Sequence, residues 1–82
     1  MYARQIQKHL SNEIVDDVIT TEEFQDKYYF KKLVKDRFPS ISDNAIYETI
    51  EQCNQLISRP RKKKIYLKLF AKTLLYNLKI KK

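Results

Sequence analysis

Glycine is absent from this 82-residue chain. Strand hairpins and phosphate-binding loops use glycine for backbone with positive φ, so its absence favours helices joined by turns of other residues. The same absence excludes a P-loop and a glycine-rich dinucleotide motif. One cysteine and one histidine are too few for an internal disulfide or a zinc site. We therefore expect neither a cofactor nor a metal.

Long apolar runs are also missing. No stretch of about 18 apolar residues occurs, so no transmembrane segment is expected. Polar residues interrupt the first apolar positions, a pattern unlike that of a secretory signal. We expect an intracellular protein, located in the cytoplasm, or in the nucleus if the host is a eukaryote.

Acidic residues are missing from one end of the chain. Residues 1–57 contain seven Lys or Arg against ten Asp or Glu, a net charge of −3, whereas residues 58–82 contain ten Lys or Arg and no acid. The whole net charge of +7 therefore comes from the last 25 residues. Such segregation predicts an anionic partner.

The apolar spacing predicts one all-α domain spanning residues 1–82, a small bundle of four helices, or five if the first one breaks at Ser11-Asn12. The first helix is expected over residues 2–19. Residues 20–23 carry a Thr/Glu capping box, which predicts the start of the second helix, and Pro39 predicts its end.

Two further helices follow from local signals. Ser42 is a favourable N-cap and Ile41 with Ile46 fits a hydrophobic staple, so the third helix is expected to begin here. Pro60 is expected to be the first residue of a fourth helix over residues 60–79.

The predicted fourth helix has an unusually wide apolar arc. On a helical wheel, Leu75 and five basic residues share one narrow face, and nearly all the rest is apolar, Ile65 and Tyr76 included. The basic residues of this face are Arg61, Lys64, Lys68, Lys72 and Lys79. The C-terminal helix is therefore predicted to be central in the bundle and to show solvent only a ridge of lysines.

Residues that could carry enzyme chemistry are few. His9 lies on the predicted solvent side of the first helix and reads as a surface histidine. Cys53 falls on an apolar face, where free cysteine behaves as a small hydrophobe. The adjacent acid pairs at 16–17 and 22–23 fit solvated charges or helix starts. We therefore expect a protein that is not an enzyme.

The basic run at 59–64 is the clearest functional signal. Cations are unfavourable in the first turn of a helix, where backbone N–H groups already present positive charge, but both together suit a phosphate. The predicted polyanion-binding residues are Arg59, Arg61, Lys62, Lys63, Lys64, Lys68 and Lys72. Lys81 and Lys82 would extend the same footprint.

Three interpretations of this basic surface stay open at this point. The leading one is a small non-enzymatic binding protein that engages a polyanion, in particular the backbone of a nucleic acid. The second is a protein-interaction or regulatory module, monomeric or a homodimer, that binds an acidic protein surface. The third is an ordinary solvated face that serves solubility alone.

Overall fold

A computed structural model describes the backbone of residues 2–80, and its side chains from residue 3 to residue 79. Four helices follow one another: α1 (Tyr2–Glu13), α2 (Phe24–Arg37), α3 (Asp43–Leu56) and α4 (Lys63–Ile80). Within residues 2–80 the only extended pairing is an isolated antiparallel bridge between Val18 and Lys62. The prediction of a small all-α bundle of four helices is confirmed.

The helices form a closed ring in chain order. α1 packs on α2, α2 on α3, α3 on α4, and α4 back on α1. Across the middle, the Phe30 ring of α2 meets the rings of Tyr66 and Phe70 edge-on, with centroid distances of 6.0 and 4.8 Å. α4 therefore touches all three other helices, in agreement with its predicted central place.

The core is apolar and drawn from every helix. Among the described side chains, α4 buries the most: Tyr66, Leu67, Phe70, Ala71, Leu74 and Asn77. The buried Asn77 amide donates to the hydroxyl of Thr49 on α3 at 2.8 Å and to the amide oxygen of Gln52 at 3.0 Å. This polar contact fixes α4 against α3, because a buried amide left unpaired would be costly.

The first helix is shorter than predicted. It ends at Glu13, and Ile14 only completes its last turn with an N–H donated to the Leu10 carbonyl. The following residues are rich in β-branched side chains and aspartate, which are poor helix formers. The expectation of a helix to residue 19 was therefore wrong, and residues 14–23 form an irregular segment.

The irregular segment pairs with the residues before α4. The Ile19 N–H donates to the Arg61 carbonyl at 2.8 Å, and the Lys63 N–H donates to the Asp17 carbonyl at 2.7 Å. Since Arg61 and Lys62 lie in this pairing, α4 begins at Lys63 and not at Pro60. Pro60 lies in a bend, and the peptide bond that precedes it is cis.

The capping box predicted at residues 20–23 does not form. α2 begins after Glu23, which makes no side-chain cap. Thr21 is instead fully buried, and its hydroxyl donates to the Asn54 side-chain oxygen at 2.8 Å. The Asn54 amide returns a hydrogen bond to the Thr21 carbonyl at 2.9 Å, and Tyr66 donates to the same Asn54 oxygen at 3.0 Å. Thr21 is thus held in a tertiary network, directly after Thr20, the residue that the Thr/Glu spacing placed at the helix start.

The turn between α2 and α3 agrees with prediction. α2 ends at Arg37, with Phe38 as its C-cap and Pro39 outside the helix. The Ser42 hydroxyl accepts from the Ala45 N–H at 3.2 Å, which is the N-cap bond expected for α3. Ile41 and Ile46, the predicted staple, are both buried.

Candidate functional site

The basic run alternates between the interior and the solvent. Arg61 and Lys62 precede α4, in the segment that pairs with residues 17–19. Arg61 is buried and Lys63, the first residue of α4, is half-buried, whereas Lys62 is exposed beside Val18, its partner in the bridge. The basic run at 59–64 is therefore not one continuous surface, because some of its side chains are engaged within the fold and others are exposed.

Arg61 belongs to the structure of the fold. Its exposed fraction is only 6%, and its guanidinium donates to the Glu22 carboxylate and, at 3.1 Å, to the Asn54 carbonyl. Both contacts hold the irregular segment and the end of α3 together. Arg61 was predicted to bind a polyanion; in the structure its side chain is buried and paired with Glu22.

Lys63 is likewise engaged. Its ammonium donates to the carbonyl of Ile14, just after the end of α1. Arg59, by contrast, has a side chain that is 73% exposed, and its nearest acid is Glu22 at 3.9 Å. Of the basic residues at 59–63, only Arg59 and Lys62 are therefore exposed.

Three lysines form a straight row on the outer face of α4. Lys64, Lys68 and Lys72 follow one another at intervals of four residues, so their Cα atoms rise about 6 Å per step along the helix. All three are exposed, as is Lys79 one turn beyond Leu75. Within residues 2–80 none of these four lysines has an acid within 4.0 Å. We call Lys64, Lys68 and Lys72 the lysine row.

The lysines of α2 are arranged quite differently. Lys27 pairs with Glu51 of α3, and Lys35 donates to Asp43 at 2.9 Å, with Lys31 at 3.6 Å from the same carboxylate. The hydrogen bond from Lys35, helped by the charge of Lys31, lowers the pKa of Asp43. The positive charge of this face of α2 is thus compensated by α3, whereas that of the lysine row is not.

An acid lies near the start of the row. Asp17, Lys62 and Lys64 line a shallow groove where the end of α1 meets the start of α4, together with Ser11, Lys63 and Ile65. The Asp17 carboxylate weakens the positive potential at that end. We therefore expect the strongest uncompensated charge further along α4, around Lys68 and Lys72.

Two residues assigned to the apolar arc of α4 are exposed. Ile65 and Tyr76 were predicted to face the core, but both stand on the solvent side next to the lysines. The wheel predicted the exposed lysines correctly and overstated the buried arc, because four helices in a ring cover each helix on only part of its circumference. Lys81 and Lys82 lie outside the described residues.

The two residues considered for chemistry both lie in structural positions. His9 is not the surface histidine that was predicted: its Nε2 lies 2.9 Å from the Leu33 carbonyl, and its ring meets Phe38 edge-on. Cys53 is fully buried, as predicted, and burial raises the pKa of its thiol to about 11. A protonated, enclosed thiol is a poor nucleophile.

No group of three or more His, Cys, Asp or Glu residues in the described part of the chain could hold a metal ion. Nor is any helix among residues 2–80 long and apolar enough to cross a membrane. The chain matches no protein-family model, no curated protein and no solved structure.

Proposed function

We propose that this protein is a non-enzymatic binding protein that engages the phosphate backbone of a nucleic acid through the outer face of α4. The observation that carries the proposal is the lysine row, which is exposed, regular and has no acid within 4.0 Å in the described chain. Lys62 and Lys79 extend the row at its two ends. Arg61 and Lys63 are left out, because their side chains are bound inside the fold.

Uncompensated like charges in a row destabilise a helix by a few tenths of a kcal/mol per pair. Lys27, Lys31 and Lys35 have the same spacing on α2, and each of them has an acid of α3 within 4.0 Å. The row on α4 has no such compensation from the fold. An anionic ligand would compensate the positive charge of the row, and its counterions would be released on binding.

The chemistry of the row favours a phosphate backbone over base-specific reading. Lysine is a point charge on a flexible stem, and it lacks the planar fork with which arginine recognises a guanine edge. A recognition helix at α3 is disfavoured, because Asp43 and Glu51 would face the phosphates. A homodimer joined through the outer face of α4 is also disfavoured, since it would bring two lysine rows together.

A charge-matched pair of variants tests the proposal. Lys68 and Lys72 are changed to Glu in one protein, and Lys32 and Arg37, exposed on the opposite helix α2, are changed to Glu in the other. Both changes lower the net charge equally, so only the location differs. Binding to a labelled oligonucleotide is measured by anisotropy at about 50 mM salt, with circular dichroism to check folding.

We expect the α4 variant to bind at least about tenfold more weakly and the α2 variant to stay close to wild type. Equal losses in the two proteins would show that net charge matters and location does not, which would overturn the proposal. A polyglutamate of the same length serves as a second probe. If it binds as tightly as the oligonucleotide, the ligand is an acidic protein instead of a nucleic acid.

A further inference from the structure

Tyr76 continues the lysine row by one further step. It follows Lys72 by four residues, as Lys72 follows Lys68, so its ring stands on the same exposed strip of α4. Lys79 lies three residues beyond it and also faces solvent. Tyr76 is thus an aromatic side chain placed between two uncompensated cations.

The Tyr76 ring is free of partners. Its exposed fraction is 64%, and within the described chain it makes no hydrogen bond, ring contact or cation–π contact. The exposed rings of Phe24 and Tyr28 on α2 differ in this respect. Phe24 stacks on Tyr28 and on Tyr47, with centroid distances of 6.3 and 6.4 Å, and the ammonium of Lys31 lies 4.4 Å from the Tyr28 centroid.

Backbone attraction by cations combined with stacking on aromatic rings is how proteins hold single-stranded nucleic acid. A base in a duplex is stacked on both sides within its own helix, so it cannot also cover a surface tyrosine. Lys68 and Lys72 would hold successive phosphates, while the next base along the strand would reach Tyr76. We propose that Tyr76 stacks on a nucleobase, and hence that the ligand of the α4 face is single-stranded. This inference rests on the proposed function and narrows its ligand.

The chain contains a matched control for Tyr76. Tyr29 on α2 has nearly the same exposed fraction, 63%, and within residues 2–80 it has no ring or hydrogen-bond partner. Its surroundings carry the opposite charge, because Asp16 and Asp26 line the same depression in the surface. A change at Tyr29 therefore removes an equally exposed ring from a place that repels phosphate.

The test compares Tyr76→Ala, Tyr76→Phe and Tyr29→Ala with the wild-type protein. Each binds an oligothymidylate of about 12 nucleotides and a duplex of the same length, both labelled, at one salt concentration. We expect Tyr76→Ala to weaken binding to the single strand by about fivefold or more and to leave duplex binding within about twofold. Tyr76→Phe keeps the ring and should bind like wild type, and so should Tyr29→Ala.

Failure of this inference can be told from failure of the proposed function. If Lys68→Glu with Lys72→Glu abolishes binding but Tyr76→Ala leaves it unchanged, the lysines bind backbone and the stacking proposal falls alone. An equal loss on single strand and duplex would also overturn it, since stacking should act on one of them. If the wild-type protein binds neither oligonucleotide, both proposals fall together.

Discussion

The buried guanidinium of Arg61 donates to the carboxylate of Glu22, and this ion pair joins two segments of opposite charge. Residues 10–26 contain six acids and no Lys or Arg, and they lie against the start of the basic half of the chain. Part of the charge segregation in the sequence therefore serves attraction within the molecule. Only the remainder, chiefly on α4, is available to a ligand.

Removing Glu22 should destabilise the fold much more than removing Arg59. Glu22→Ala leaves the Arg61 cation buried without a counter-charge, and we expect a loss of about 2 kcal/mol or more in the free energy of unfolding. Arg59 is largely exposed and 3.9 Å from the same carboxylate, so Arg59→Ala should cost less than about 0.5 kcal/mol. Urea unfolding followed by circular dichroism measures both. Similar losses would contradict a structural role specific to the Arg61 pair.

Thr21→Val should destabilise the fold more than Thr20→Val. A capping box with Thr20 as the N-cap would give the opposite order. Thr21→Val removes a buried hydroxyl that bonds Asn54, and should cost about 1–3 kcal/mol of stability. Thr20 is exposed, and Thr20→Val should change stability by less than about 0.5 kcal/mol. If Thr20→Val cost more stability than Thr21→Val, Thr20 would act as a helix cap in solution, which would contradict the structure.

These threonines show where prediction from sequence succeeds and fails in this chain. The starts and ends at Ser42 and Pro39 were predicted correctly, because N-caps and prolines act on backbone within a few residues. The cap at Thr20 was wrongly predicted, because its neighbour Thr21 is held by a hydrogen bond to Asn54, 33 residues away. The run Val18-Ile19-Thr20-Thr21 did carry a usable signal, since four consecutive β-branched residues favour extended backbone over helix.

The candidate site was predictable only in part, for the same reason. The spacing of Lys64, Lys68 and Lys72 places them on one face of any helix, so their exposure on α4 followed from local geometry. The inward turn of Arg61 depends on Glu22, and the exposure of Tyr76 depends on how far the neighbouring helices reach around α4. Neither can be read from local spacing.

The buried thiol of Cys53 should make stability fall at alkaline pH. Its pKa is raised from 9.0 to about 11 in the folded protein, so between these values the unfolded chain loses a proton that the folded chain keeps. Unfolding is thus favoured as pH rises from 9 to about 11, while the contribution is fully present below pH 9. The difference in unfolding free energy between wild type and Cys53→Ala should shrink over this window. A difference independent of pH would contradict the raised pKa.

Binding through the lysine row should depend strongly on salt. Three lysines neutralising three phosphates of a single strand give an expected slope of about −2 for the logarithm of the association constant against that of the salt concentration. Lys72→Gln should make this slope shallower by about 0.7, because one contact is lost. Lys32→Gln, on the opposite helix, should leave it unchanged. A slope near zero for the wild type would exclude a charge-driven complex at this face.

The bridge between Val18 and Lys62 contains an amide, that of Ile19, whose hydrogen exchange reports on the start of α4. The Ile19 amide is covered by the Arg61 carbonyl, one residue before the exposed Lys62 and three before the lysine row begins. Its rate of hydrogen exchange therefore measures how often this junction opens. A ligand that steadies the start of α4 would slow exchange at Ile19, an amide in the acidic segment that the ligand itself does not touch.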